Sequence, residues 1–193
     1  MGSDSNGGPC RSLEFERPNV FALVIYIPEP LGRFLDDLRR ELVPHYNPHA
    51  HVSVLPPRVI RYDWQGASDQ ARALTEGWAP FEVELTSIEV FERTEVIYIG
   101  IGAGATELCD LHGAMNSSAL EFDEPYVYHP HITLAQEIPH DRVAELTELA
   151  RRRWKEYDGA RTFRAERAVF VQNTVDNCWV DLAEYSLGAV AVR

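Results

Sequence analysis

From residue 20 to residue 188 the apolar positions switch repeatedly between a period of two and a period near 3.6. The run VFALVIYIP at 20–28 reads as a buried strand, and LGRFLDDLRRELV at 31–43 places Leu31, Phe34, Leu35, Leu38 and Leu42 at helical spacing. Pro44 and Pro48 close that helix, and HVSVLPP at 51–57 reads as a short strand stopped by its two prolines. A weaker helix over about 67–78 precedes FEVELTSIEVF at 81–91, which alternates as a strand. The series then begins again. VIYIGIG at 96–102 is a strand, 105–116 is a helix carrying Leu108, Leu111 and Met115, and the strand containing HITL follows. The helix DRVAELTELARRRW and paired strands near 162–171 and 178–185, joined across the turn signal VDN, complete the chain.

The two series carry the same motif at the same place. HAHVSVL at 49–55 aligns without a gap to HPHITLA at 129–135: histidine, any residue, histidine, β-branched, hydroxyl, aliphatic. Strand side chains alternate between faces, so His51 and Ser53 share one face while Val52 and Val54 share the other; His131 and Thr133 likewise oppose Ile132 and Leu134. A core accounts for the aliphatic faces. It does not call for a histidine and a hydroxyl at matching phase in both halves, and a pseudo-two-fold axis would turn the two motif strands toward a shared cleft. Paired imidazoles there suit general acid–base chemistry, because an ordinary pKa near 6.5 lets one be neutral while the other is protonated. The hydroxyls of Ser53 and Thr133 suit the nonbridging oxygens of a phosphodiester.

Composition narrows the partners. The chain has 193 residues, 45% hydrophobic and 25% charged, which fits one globular domain. Its formal net charge of −12 opposes an extended nucleic-acid footprint and leaves a nucleotide or an RNA terminus as the expected partner. The polar, glycine-rich opening is expected to be a disordered tail over 1–17 and fails as a myristoylation signal at Asn6. No run is long enough to span a membrane. Cys10, Cys109 and Cys178 form no metal spacing, and their odd number suits a reducing cytoplasm better than a disulfide framework.

The motifs resemble those of the two-histidine (2H) phosphoesterase superfamily, in its bacterial 2′-5′ RNA ligase-like and cyclic phosphodiesterase branch. That family carries two His-x-Thr/Ser-x motifs (HxTx) roughly 80 residues apart; here they are HVSV at 51–54 and HITL at 131–134. YHPHITLA, the trailing prolines of HVSVLPP and the terminal WVDLAEYSLG are similar to the family as well. The resemblance covers residues 18–188 and implies a single bilobal α+β domain, two antiparallel sheets flanked by helices around a central cleft, with motif lobes at about 20–91 and 96–188. It implies His51 and His131 as the acid–base pair, Ser53 and Thr133 on the phosphate, and no metal or other cofactor. The expected activity is on 2′,3′-cyclic phosphates or 2′-5′ linkages, hydrolysing or, in reverse, ligating. Serine in place of threonine in the first motif keeps the donor and drops a methyl.

Around this pair, Tyr128, His129, His49 and Arg58 are candidate substrate contacts, with Tyr126 a further platform for a base. Three rival readings follow from the same residues. Two His-x-His pairs offer imidazoles to a metal, although HAHVSVLPPR lacks a nearby carboxylate. GIGAGA at 100–105 satisfies a dinucleotide fingerprint, yet its strand belongs to an antiparallel pattern. A module that binds nucleotides or RNA ends without catalysis would keep the cleft and its motifs. The internal repeat already supplies a pairing, so a monomer is expected.

Overall fold

A computed structural model describes residues 17–43, 49–61 and 63–188; of the tail expected over 1–17, all but Arg17 lies outside them. Eight strands and four helices follow the order β1 (Phe21–Tyr26), α1 (Leu31–Leu42), β2 (His51–Arg58), α2 (Trp64–Glu76), β3 (Phe81–Val90), β4 (Ile97–Ile101), α3 (Ala105–Met115), β5 (His131–Ala135), α4 (Val143–Glu156), β6 (Thr162–Ala165), β7 (Arg167–Asn173) and β8 (Trp179–Ser186). Local chemistry sets these elements. The stripe Leu31, Leu35, Leu38 and Leu42 buries one face of α1, and the Asp63 carboxylate accepts from the backbone N–H groups of Gln65 and Gly66 to start α2.

The strands form two antiparallel four-stranded sheets, ordered β2-β1-β7-β8 and β5-β4-β3-β6, so the fold is α+β as expected. The sheets do not follow the sequential division at 91–96. Strand β3 pairs with β4 and β6 in the second sheet, and β7 and β8 return to the first. The return needs a break in what reads as one strand over 162–171: Phe163 pairs with Val83, whereas Phe170 pairs with Leu23, and the chain changes sheets at Glu166 between them. One buried cluster nevertheless runs through both sheets, from Leu23 and Leu35 to Leu108, Ile132 and Ala150.

Two further departures have local causes. Strand β2 is not stopped by its prolines but continues through Pro56 and Pro57 to Arg58. It lies at a sheet edge, where a missing N–H costs no ladder bond, and the pairing with β1 is irregular there. The glycines of GIGAGA serve packing. Gly104 starts α3 with φ of 87°, and a Cβ on it would lie 2.5 Å from the Glu82 carbonyl oxygen.

The placement of helices prepares the site. Helix α1, between β1 and β2, packs against β5 of the other sheet, and α3, between β4 and β5, packs against β2. Each motif strand is thus an outer strand of its own sheet, backed by a helix from the opposite half.

Candidate active site

Strands β2 and β5 meet where the two sheets face each other. Val52, Val54, Ile132 and Leu134 are buried in the core, while His51, Ser53, His131 and Thr133 are half-buried on the opposite face of their strands. Both imidazoles are held in the same way. The Nδ1 of His51 lies 2.8 Å from the carbonyl oxygen of His49, and the Nδ1 of His131 lies 2.6 Å from that of His129. A carbonyl only accepts, so each Nδ1 carries the hydrogen and each Nε2 is the nitrogen left to exchange a proton. The bond fixes tautomer and ring orientation together.

Burial lowers both histidine pKa values. That of His51 is pushed down to about 4, by desolvation first, against the opposing pull of its bond to the His49 carbonyl; Arg39 and His131 add to the lowering and Asp36 resists it. His131 is lowered by burial, with its bond to the His129 carbonyl opposing and His129 itself contributing. Both rings are therefore neutral at neutral pH in the free protein. An anionic phosphate placed between them favours protonation of one, which is the asymmetry that acid–base catalysis needs.

Two tyrosines that sequence reasoning passed over pack edge-on to these rings. Tyr26 lies opposite His51 in the β1–β2 register, with ring centroids 6.4 Å apart, and its hydroxyl donates to Asp181 at 2.6 Å. Tyr98 lies opposite Thr133 in the β4–β5 register, with its ring 5.4 Å from that of His131, and its hydroxyl donates to Glu89 at 3.0 Å. Burial and the carboxylate partner push the Tyr98 pKa up to about 12, and the same two causes raise Tyr26, so both hydroxyls stay protonated donors. A sequence signal for them existed: the tetrapeptide Val-Ile-Tyr-Ile occurs at 24–27 and again at 96–99. Tyr26 stands 25 residues before His51 and Tyr98 stands 33 before His131, so a gapless alignment on the histidines leaves the tyrosines eight positions apart.

A groove of about 670 Å³ opens from the motif strands, with Ser53, His131 and Thr133 among its lining residues. Of the other candidate contacts, His129 and Tyr128 line this groove, and His49 lies elsewhere, in a recess of about 210 Å³ with Tyr26, Asp36 and Asp181. Tyr128 has one face covered by His112, whose ring is parallel to it at 3.9 Å, and its hydroxyl donates to the Ser53 carbonyl at 2.8 Å. Arg58 corrects the sequence-based expectation. It is 2% exposed, and four of its five N–H donors go to the Pro56 and Leu120 carbonyls, Asn116 and Glu124, a buried network that ties down the segment leading to β5.

Among the described residues, no group of three or more His, Cys, Asp or Glu side chains is arranged to hold a metal ion. The two His-x-His pairs do not converge, because His49 and His129 line different spaces. Among the cysteines, Cys109 is free, whereas Cys178 is disulfide-bonded, against the expectation of a fully reduced set. No helix among the described residues is long and apolar enough to cross a membrane.

Comparison with known proteins agrees with this architecture. The family model described as the 2′-5′ RNA ligase superfamily matches residues 27–177. The chain belongs to that superfamily. The protein named "Putative phosphoesterase OB1230", from Oceanobacillus iheyensis, is 23% identical over 124 residues, covering 60% of this chain and 71% of the relative. Among solved structures, E. coli LigT complexed with NADP+ superimposes with a TM-score of 0.62 at 16% identity, over 90% of this chain and 98% of LigT. TT0787 of Thermus thermophilus gives a TM-score of 0.59 at 14% identity, over 89% of this chain and 100% of that one. At these identities the structural likeness establishes the fold.

Proposed function

We propose that this protein is a metal-independent phosphoesterase that acts on 2′,3′-cyclic phosphate or 2′-5′ phosphodiester bonds of nucleotides or RNA ends. The observation that carries the reading is the matched hold on two imidazoles from different sheets, each with Nδ1 on the carbonyl two residues back and Nε2 left for proton transfer. In hydrolysis of a cyclic phosphate, the neutral imidazole takes a proton from water as the water oxygen bonds to phosphorus. The protonated partner gives its proton to the ribose oxygen as the P–O bond breaks, and a nucleoside monophosphate results. Ser53 and Thr133 donate to the nonbridging oxygens, where negative charge accumulates. With a 5′-hydroxyl in place of water, the same transfers join two ends: the neutral imidazole takes the hydroxyl proton as the 5′ oxygen bonds to phosphorus, and the 3′ oxygen leaves with the partner's proton, giving a 2′-5′ bond, the reverse of 2′-5′ cleavage by the neighbouring 3′-hydroxyl. E. coli LigT, which shares the fold, has been crystallised with 3′-AMP and with ATP, in keeping with a nucleotide in this cleft.

The test is turnover of a panel of 2′,3′-cyclic nucleotides and 2′-5′-linked oligonucleotides with EDTA present. The expected result is hydrolysis that resists EDTA and falls by about 10²–10⁴-fold or more in both His51→Ala and His131→Ala, with folding preserved. Activity retained in either variant, or lost to EDTA alone, overturns the reading.

A further inference from the structure

The two halves hold their motif imidazoles by the same bond but support that bond differently. The peptide group between His49 and Ala50 is trans, so its two polar ends point in opposite directions. At one end the His49 carbonyl holds Nδ1 of His51; at the other the Ala50 N–H donates to Oδ1 of Asp36 at 2.8 Å. Asp36 projects from α1 and is paired with the buried Arg39 at 3.2 Å, while the Ala50 carbonyl accepts from the backbone N–H of Ile27 at 2.9 Å. In the matching place of the other half, the residue after His129 is Pro130, which has no N–H to anchor. Its ring instead locks φ, one of the two torsions about which that peptide plane turns. A proline would not serve at position 50. His49 adopts a φ of 61°, in the left-handed region, which His129 does not, and a residue ahead of proline is driven to extended backbone. Ala50 is 2% exposed, so its N–H needs a protein partner, and the Asp36 carboxylate supplies it.

We propose that Asp36 is a positioning residue for the reaction: reaching from α1, it sets the plane of the His49–Ala50 peptide, and through the His49 carbonyl it sets the tautomer and ring orientation of His51. The inference rests on the phosphoesterase reading and adds to it a residue that acts on the chemistry only through His51. Rotation of this peptide moves the carbonyl off Nδ1. A neutral imidazole then populates both tautomers, and Nε2 is no longer held as the bare nitrogen that takes a proton. A charged acceptor on the N–H also polarises the peptide group, which strengthens its carbonyl as an acceptor. His131 needs no such residue, because the Pro130 ring already restrains the peptide that holds it.

The test reads the imidazoles directly, by heteronuclear NMR of the ring nitrogens near neutral pH, beside steady-state kinetics on adenosine 2′,3′-cyclic phosphate. The native protein should show both rings with the hydrogen on Nδ1. In Asp36→Ala the His51 ring should shift toward the Nε2–H form while His131 stays as it was, and kcat should fall about tenfold or more with KM changed by less than about twofold. Asp36→Asn keeps an acceptor oxygen for the Ala50 N–H and should retain the native His51 tautomer and most of kcat. Asp36→Glu keeps the charge beside Arg39 but displaces the acceptor, so it carries the test with the same expected direction should Asp36→Ala not fold. In a folded Asp36→Ala or Asp36→Glu, a His51 ring left unchanged, or both rings altered together, overturns the proposal; so does Asp36→Asn losing kcat as far as Asp36→Ala. The ring signals do not depend on turnover. If the native protein hydrolyses no cyclic phosphate and His51 alone still changes tautomer, the positioning stands and the phosphoesterase reading falls; if it hydrolyses the substrate and Asp36→Ala is as active, the positioning falls and the reading stands.

Discussion

The Tyr128 hydroxyl donates a 2.8 Å hydrogen bond to the backbone carbonyl of Ser53, joining the approach to one motif strand to the middle of the other. Tyr128 precedes His131 by three residues and Ser53 follows His51 by two, so this bond lies between the two histidines that must hold a fixed separation. His112 reinforces it by stacking on Tyr128 and placing its Nδ1 2.8 Å from the Val54 carbonyl. Tyr128→Phe keeps the stack and removes the bond. We expect it to cost about 1 kcal/mol of stability and to lower kcat by more than it raises KM. Tyr128→Ala should do markedly worse in both; equal effects of the two variants would assign the role to the ring alone. Steady-state kinetics and thermal unfolding measure this.

Tyr26 and Tyr98 suggest a second pair of substitutions. Each ring abuts a motif histidine and each hydroxyl is anchored on a carboxylate, Asp181 or Glu89. Replacement by phenylalanine frees the carboxylate and the ring together. The expected outcome for Tyr26→Phe and Tyr98→Phe is a severalfold loss of kcat and an acid limb of the pH–rate profile displaced from that of the native protein, with stability lowered by about 1 kcal/mol or less. Unaltered profiles would show that the carboxylate anchors do not bear on the imidazoles.

The motif histidines and hydroxyls were legible in the sequence because strand alternation and a gapless internal repeat both point to them. The strand and helix order was legible for the same reason. Pairing was not: hydrophobic alternation in 81–91 and 162–171 says that these segments are half-buried strands, but nothing in a period of two says which sheet receives them. Arg58 was misjudged because its partners Asn116, Leu120 and Glu124 are about 60 residues away in sequence, and a buried arginine reads like an exposed one until they are seen. The continuation of β2 through Pro56 and Pro57 likewise depends on its being an outer strand, which is a tertiary fact.

Arg58 and Glu124 form a buried ion pair under the groove wall, with side chains 1% and 13% exposed. Removing one partner leaves a charge without its counterpart, a loss of about 3–5 kcal/mol. Arg58→Met should therefore lower Tm by roughly 10 °C, at about 2–4 °C per kcal/mol for a domain of this size. The double variant Arg58→Met with Glu124→Gln should recover part of the loss, because the orphaned carboxylate is gone. A single variant as stable as the native protein would mean that water replaces the pair without cost.

The histidine pKa values predict how stability depends on pH. In the unfolded chain a histidine titrates near 6.5, whereas burial holds His51 at about 4 in the folded protein and lowers His131 as well. Between those values the unfolded state binds more protons than the folded state, so the stability carried by these neutral rings is complete above about pH 6.5 and is lost as pH falls toward 4. Tm should decline through that interval, and the decline should be shallower in His51→Gln, which keeps a polar side chain but has nothing to protonate. The same depression keeps the free imidazoles neutral in mild acid, so the acid limb of kcat/KM should lie below the ordinary histidine value, with its apparent pKa belonging to the pair. A Tm that is flat from pH 7 to about pH 4.5 in the native protein, or a decline that His51→Gln leaves unchanged, would contradict the burial that sets these values.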